Sequence, residues 1–244
     1  MLSKLIKASV ALILAMLANT AAQAQTADYF LLAASWEPGF CATNSGKSEC
    51  QNIRGTYAGS HLSTHGLWAS SFDGNNPQYC NVPQQEIDLD SGSTWCSMDP
   101  YGASASTLSN LATYMPGIQS CLDDHEWYKH GSCSGQTPDD FWATTINLIK
   151  SLGQTQLNTF IASNAGRNVT RAQLMQAATN TFGSSASSAI AFKCVKKNRV
   201  SYLTEVWTNL DPSSLNQFPN ANALVTNANI AGTCPATGIY IARP

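Results

Sequence analysis

His125-Glu126-Trp127-Tyr128-Lys129-His130-Gly131-Ser132-Cys133 packs two imidazoles, a carboxylate, an ammonium and a cysteine into one short segment. On a helix, residues four apart share a face, with Cβ atoms about 5–6 Å apart. That spacing pairs Glu126 with His130 and, one position round, His125 with Lys129. Trp127 falls off this edge and is expected to pack inward. Gly131 stands where a helix ends in a C-cap glycine. The other two histidines lie in His61-Leu62-Ser63-Thr64-His65-Gly66-Leu67-Trp68. Its alternation of apolar and polar residues predicts a strand, which puts His61 and His65 on one face. Of these two, His61 is expected to serve the fold. Histidine exchanges protons near neutral or mildly acidic pH. One such segment on a strand and another on a helix predict a general acid and a general base facing each other across a cleft.

Outward from these segments the chain alternates in character. Tyr29 to Trp36 is apolar and aromatic and reads as a buried strand, stopped by Pro38-Gly39. Residues 37–60 and 69–100 read as irregular. Ser104 to Met115 has helical spacing, closed by Pro116-Gly117, and a second helix covers Cys121 to His130. Thr137-Pro138-Asp139-Asp140 combines a cap, a proline in the first turn and acids at the positive end of the dipole. A helix follows it, then one over 154–163, then one from the capping box Thr170-Arg171-Ala172-Gln173 to Gly183. Ala189 to Val195 and Val200 to Leu210 read as strands around a turn, and Ile239 to Ile241 as a last strand. No repeat or linker divides the chain.

The start is expected to lie outside the fold. Lys4 and Lys7, the apolar run Ala8 to Ala18 and the small residues of Ala22-Gln23-Ala24 have the layout of a secretory signal peptide over residues 1–24. The apolar run is too short for a bilayer, which needs about 20 residues, so no membrane anchor is expected. Residues 25–244 are then one domain, periplasmic or secreted. The 244-residue chain has 13 Lys plus Arg and 15 Asp plus Glu, and the leader removes two lysines, leaving a net charge of −4. That balance excludes nucleic-acid binding through a general basic surface; an anionic substrate must be held by a few local cations. Eight cysteines fit an oxidising compartment and four disulfides. Local spacing favours Cys41 with Cys50, and Cys194 with Cys234 ties a late strand to the tail. Cys80, Cys96, Cys121 and Cys133 bracket the second histidine segment. Each bridge stabilises by roughly 2–4 kcal/mol.

A base, an acid and a cation suit phosphodiester cleavage in RNA. There the 2′-hydroxyl is the internal nucleophile, and neither an activated side chain nor a metal is required. A zinc helix needs His-Glu-x-x-His. Here His125 and His130 are five apart, which an ideal helix turns about 140° away from each other. No Cys-x-x-Cys pair occurs, and no metal or other cofactor is expected. Trp68, Phe72 and Tyr79 are candidates to stack a base, Trp68 foremost.

The two segments Thr64-His65-Gly66-Leu67-Trp68 and His125 to Cys133 resemble the active-site signatures of the ribonuclease T2 family, secreted, acid-active endoribonucleases that use no metal. Ser35-Trp36-Glu37-Pro38-Gly39-Phe40-Cys41 is similar to that family's early strand end. Met115-Pro116-Gly117 with Ser120-Cys121-Leu122 looks like its bacterial periplasmic branch. Cys194, Tyr202-Leu203-Thr204-Glu205 and Cys234 follow in the same order. The resemblance implies an α+β fold, an antiparallel sheet packed against helices. It implies His65 as the acid and His130 as the base. Glu126 and Lys129 would steady the pentavalent phosphate, and His125 would bind it. It pairs Cys80 with Cys133 and leaves Cys96 with Cys121. The resemblance implies single-stranded RNA and not DNA as substrate and 2′,3′-cyclic phosphates and then 3′-phosphates as products, and the enzyme is expected to be a monomer. Ala69 stands where the family signature has proline after the tryptophan. That departure leaves base preference open. A binding protein on the same scaffold would require a displaced catalytic residue, and every catalytic position is filled.

Overall fold

Seven consecutive buried residues, Tyr29–Ser35, form the strand β1 around which the sheet is assembled. In the computed structural model, residues 27–244 are described; the leader expected over residues 1–24 lies outside them. In chain order the elements are β1, α1 (Glu37–Thr43), β2 (Ser63–Ser70), α2 (Gln84–Leu89), α3 (Ala105–Tyr114), α4 (Leu122–Lys129) and α5 (Pro138–Gly153). Then come α6 (Gln156–Ser163), β3 (Arg167–Val169), α7 (Arg171–Phe182), α8 (Ala186–Ala189), β4 (Ile190–Lys197), β5 (Val200–Leu210) and β6 (Ile239–Ile241).

The sheet runs β2-β1-β5-β6-β3, and β4 pairs with the other edge of β5. Every pairing is antiparallel except β5 with β6, which is parallel, so the expected antiparallel sheet is a mixed one at that end. Alternation along β1 separates two faces. Phe30, Leu32 and Ala34 join the main core with Leu67 and Ala69 of β2, Val206 of β5, Leu111 of α3 and Phe141, Trp142 and Ile149 of α5. Tyr29, Leu31 and Ala33 point to the opposite face, where they are buried beneath the partly exposed Trp68, Trp207 and Val225. That second, shallower face carries the functional side chains.

Helices α3, α5, α6 and α7 begin at side-chain caps. Thr137 accepts a bond from the backbone of Asp140 at the start of α5, which buries Phe141, Trp142, Thr145, Ile146, Leu148, Ile149 and Leu152. The capping box at α7 is fully formed. Two segments read as irregular contain helices. α1 fills Glu37–Thr43, because Pro38 sits in its first turn, where proline starts a helix rather than stopping one. α2 lies within 69–100 and opens directly after Pro83. The short strand β3 had no signal in the pattern, being three residues long and held only by β6.

All four disulfides expected are present: Cys41–Cys50, Cys80–Cys133, Cys96–Cys121 and Cys194–Cys234. Two of them clamp α4. Cys121 precedes its first residue in a left-handed conformation and is tied to Cys96, and Cys133 follows it and is tied to Cys80. Gly131 does not end α4 in a left-handed turn. It is there because a Cβ would lie 2.6 Å from Trp127 and 3.1 Å from Phe141. Trp127 packs inward as expected, against Tyr101 and Phe141. No described helix is long and apolar enough to cross a membrane.

Candidate active site

β2 carries His65 at an irregularity. Ala33 pairs with Gly66 and Ala34 with Thr64, so His65 is the extra residue of a bulge. Bulges re-aim a side chain next to a site. The ring lies between two carboxylates. Its Nδ1 is 2.6 Å from Glu205 Oε1, and its Nε2 is 3.4 Å from Glu126 Oε1. Burial opposes a charge on His65. The hydrogen bond to Glu205 and the fields of Glu126, Glu205 and Glu37 outweigh it and push the imidazole up to about 9.

Glu126 comes from the buried face of α4 and is fully enclosed. Its Oε2 accepts a hydrogen bond of 2.7 Å from Trp68 Nε1, while Oε1 has no hydrogen-bond partner. Desolvation pushes this carboxyl up to about 7, against the lowering effects of His65, Trp68 and Lys129. Gly66 makes the arrangement possible. A Cβ at that position would sit 1.8 Å from Glu126 Oε2 and 2.6 Å from Trp68 Nε1.

His130 is the C-cap of α4, with its ring stacked on Trp68 at 5.2 Å between centroids. It is buried, and its Nδ1 has no hydrogen-bond partner among the described residues. Desolvation, with the positive fields of His125, Lys129 and His65, drives it down to about 3. Glu126 and His130 lie one helical turn apart, joined by the backbone bond from His130 N–H to the Glu126 carbonyl at 3.1 Å. The two side chains stand on one side of the helix end, with donor atoms within 4.8 Å, but share no hydrogen bond among the described residues; Glu126 reaches toward His65 and, at 3.7 Å, His125 Nε2.

His125 is anchored from a loop. Its Nδ1 is 2.5 Å from Asp90 Oδ1, and its ring stacks on Trp95 at 4.6 Å. Asp90 also receives the Tyr79 hydroxyl and, at 2.7 Å, Trp95 Nε1. Burial nevertheless keeps His125 below the ordinary histidine value, helped by Lys129 and His65 and opposed by Asp90. Lys129, in the last turn of α4, makes no salt bridge among the described residues, and its charge reaches His125, Glu126 and His130.

The structure therefore brings His65, Glu126, His130, His125, Lys129 and Trp68 to one place. Trp68 lies among these side chains, edge-on to His65 and to Trp207, with its Nε1 committed to Glu126. Phe72 is exposed beyond the end of β2, and Tyr79 holds Asp90. His61 is not on the strand. It precedes β2 and stacks on Tyr57 at 4.5 Å. Sequence patterning missed Glu205, Asp90, Trp95 and Glu37. A cavity of about 270 Å³ opens beside His65, lined by Phe40, Trp95 and Leu122 and by the carboxylates Glu37, Glu49 and Glu205.

His125, Glu126 and His130 each bring one donor atom within 4.8 Å of the others, a spacing open to a metal ion. The charge balance opposes one. Glu126 Oε1 already faces the cationic His65 ring, and Lys129 adds a second positive field.

The chain is a disulfide-tied α+β scaffold that gathers three histidines and a lysine around a buried carboxylate. The Ribonuclease T2 family model matches residues 27–221, and the chain belongs to this family of endoribonucleases. It is 27% identical over 234 residues to Ribonuclease I of Escherichia coli, covering 86% of this chain and 84% of that one. With Ribonuclease 1 of Arabidopsis thaliana it shares 26% identity over 160 residues, 61% of each chain. The fold is shared with ribonuclease MC1 from the seeds of bitter gourd, at a TM-score of 0.59 and 18% identity, over 87% of this chain and 100% of that one.

Proposed function

We propose that the enzyme cleaves single-stranded RNA by metal-independent transphosphorylation, with His130 as general base and His65 as general acid. His130 takes the proton of the 2′-hydroxyl, and O2′ bonds to phosphorus. The bond from phosphorus to O5′ breaks, and His65 delivers its proton to O5′. The 2′,3′-cyclic phosphate is then hydrolysed more slowly to a 3′-phosphate with the two roles exchanged.

One observation carries this reading: the two imidazoles stand in opposite surroundings, His65 bonded to Glu205 and 3.4 Å from Glu126, His130 buried against Trp68 beside the positive fields of His125 and Lys129. His65 keeps its proton up to about pH 9 and His130 stays neutral down to about pH 3. A base must begin empty and an acid loaded, and both conditions are met across the intervening range. Glu126, pushed up to about 7, holds a proton in mild acid and can donate it to a phosphoryl oxygen. Lys129 supplies fixed positive charge, the kind of preorganised group that stabilises a pentavalent phosphate. His125, with its pKa lowered, becomes a cation for the incoming phosphate only on the acid side. Both effects favour mildly acidic pH. The apolar walls of the cavity beside His65 suit a base flanking the scissile bond, with Trp68 bordering the phosphate. DNA lacks the 2′-hydroxyl and so lacks the nucleophile. We assign this activity to residues 25–244 as a single monomeric domain, delivered by its leader to the periplasm or the medium.

Incubation of the purified protein with single-stranded RNA and DNA in EDTA tests the proposal. RNA is expected to be degraded, faster near pH 5 than near pH 8, with 2′,3′-cyclic ends accumulating first and DNA left intact. Loss of turnover in EDTA that a divalent cation restores would overturn it, as would 5′-phosphate products.

A further inference from the structure

We propose that Glu205 is a positioning residue for the acid: its carboxylate claims Nδ1 of His65 and so turns Nε2 toward the leaving oxygen. The inference rests on the reading of His65 as the proton donor.

The backbone alone does not aim this ring. His65 is the unpaired residue of the β1–β2 bulge, so no ladder partner fixes its direction. Two carboxylates contact it, and they are not equivalent. Glu205 meets Nδ1 at 2.6 Å, a short charge-assisted hydrogen bond. Glu126 lies 3.4 Å from Nε2, with its other oxygen already bonded to Trp68. The ring is thus tethered at Nδ1 and free to exchange a proton at Nε2.

Glu205 is itself fixed from several sides. In β5 it pairs with Ser35 of β1 and Lys193 of β4, so the registers on both edges locate its Cα. Its Oε2 accepts a 2.8 Å bond from Trp207 Nε1. Lys193 Nζ lies 3.7 Å from the centre of the Trp207 ring and donates to the Ala231 carbonyl at 2.9 Å, which closes the far side. Although burial alone would raise it, Glu205 is held below the ordinary carboxylate range by His65, Trp207 and Lys193. It is therefore an anion wherever the enzyme works.

The groups that face His65 are Glu205 from β5, Glu126 from α4 and Glu37 from α1. Glu37 is itself pushed up to about 7 by burial and by Glu49. His125 and His130, on and just after α4, feel the charge of His65 from the other side. Near pH 8 all three carboxylates are ionised, and Glu205 is the one bonded to the ring. Replacing it by the neutral amide removes the nearest counter-charge and leaves an acceptor in place.

The test is the pH profile of kcat/KM on a single-stranded oligoribonucleotide for the wild type, Glu205→Gln, Glu205→Asp and His65→Ala. Direct titration of His65 by NMR in the first three accompanies it. For Glu205→Gln, the alkaline limb and the His65 midpoint are expected to move down by about 1–2 pH units, the size of one adjacent opposite charge. Activity near pH 5 then stays within a few-fold of wild type while that near pH 8 falls by about 2–10-fold, as the protonated fraction of an acid starting at about 9 drops. Glu205→Asp, which keeps the charge, is expected to restore part of the alkaline limb. An unchanged limb and midpoint in Glu205→Gln, with His65→Ala inactive, would overturn the role of Glu205 alone. An active His65→Ala would overturn the proton-donor reading itself. NMR titration reports the midpoint even where turnover is lost.

Discussion

The strand-borne and helix-borne halves of the site hold the same side chain in opposite states. On β2, His65 is ringed by carboxylates and stays charged; at the end of α4, His130 is stripped of water beside cations and stays neutral. Trp68 touches both rings and bonds to the carboxylate between them. Under the proposed assignment the fold divides the labour by sorting charge: negative groups gather on the sheet face behind His65, positive ones around His130. The comparison also explains His125. A 2.5 Å contact with Asp90 is not enough to raise it, because burial and neighbouring cations outweigh one carboxylate. It takes several carboxylates, as at His65, to reverse the effect of desolvation.

The largest expected effect breaks the two halves apart. His65→Ala and His130→Ala should each lower kcat on RNA by about 10²–10⁴-fold, the usual worth of a general acid or base. A substrate whose leaving group needs no proton, such as a nucleoside 3′-(p-nitrophenyl phosphate), should recover most of the activity of His65→Ala and none of that of His130→Ala. Equal recovery in both would show that the acid and base are assigned wrongly.

A smaller effect is expected from the contact between the halves. Gly66→Ala places a methyl group 1.8 Å from Glu126 Oε2, so the carboxylate must leave Trp68. Overpacking of this kind costs about 1–3 kcal/mol, readable in a urea melt. The steady-state assay should show a kcat reduced by about 10–100-fold, in the range of losing one stabilising group in the transition state. Wild-type kcat in Gly66→Ala would show that the Glu126–Trp68 bond does not matter to turnover.

The two halves were also unequally legible in the sequence. The histidines stood out because their chemistry is rare and local, and β1, α5, α7 and the β4–β5 hairpin because periodicity and caps are local too. The partners that set the proton states were hidden. Glu205 lies 140 residues from His65 and Asp90 lies 35 from His125, so only the finished sheet and the disulfide-bound loop bring them together. α1 was misread because Pro38-Gly39 looks like a stop when the strand before it is read alone. His61 was drawn onto the strand by an alternation that begins two residues early. Sequence thus showed which groups could move protons, and the long-range contacts supply the surroundings on which the proposed acid and base roles rest.

The smallest effect is thermodynamic, and it has opposite signs in the two halves. A histidine in the unfolded chain titrates near 6.5. Folded His130 titrates at about 3, so between those values the unfolded state binds more protons, and this residue makes the fold less stable as pH falls. Folded His65 titrates at about 9, so its stabilisation is complete below 6.5 and drains away as pH rises toward 9. Urea melts at pH 4, 6.5 and 9 should therefore show His130→Ala gaining on wild type toward acid, by up to about 1.4 kcal/mol per pH unit. His65→Ala should lag furthest at pH 6.5 and below and close the gap toward pH 9. Parallel stability curves for all three proteins would mean that the histidines do not differ in proton state, and the division of labour between strand and helix would fall with them.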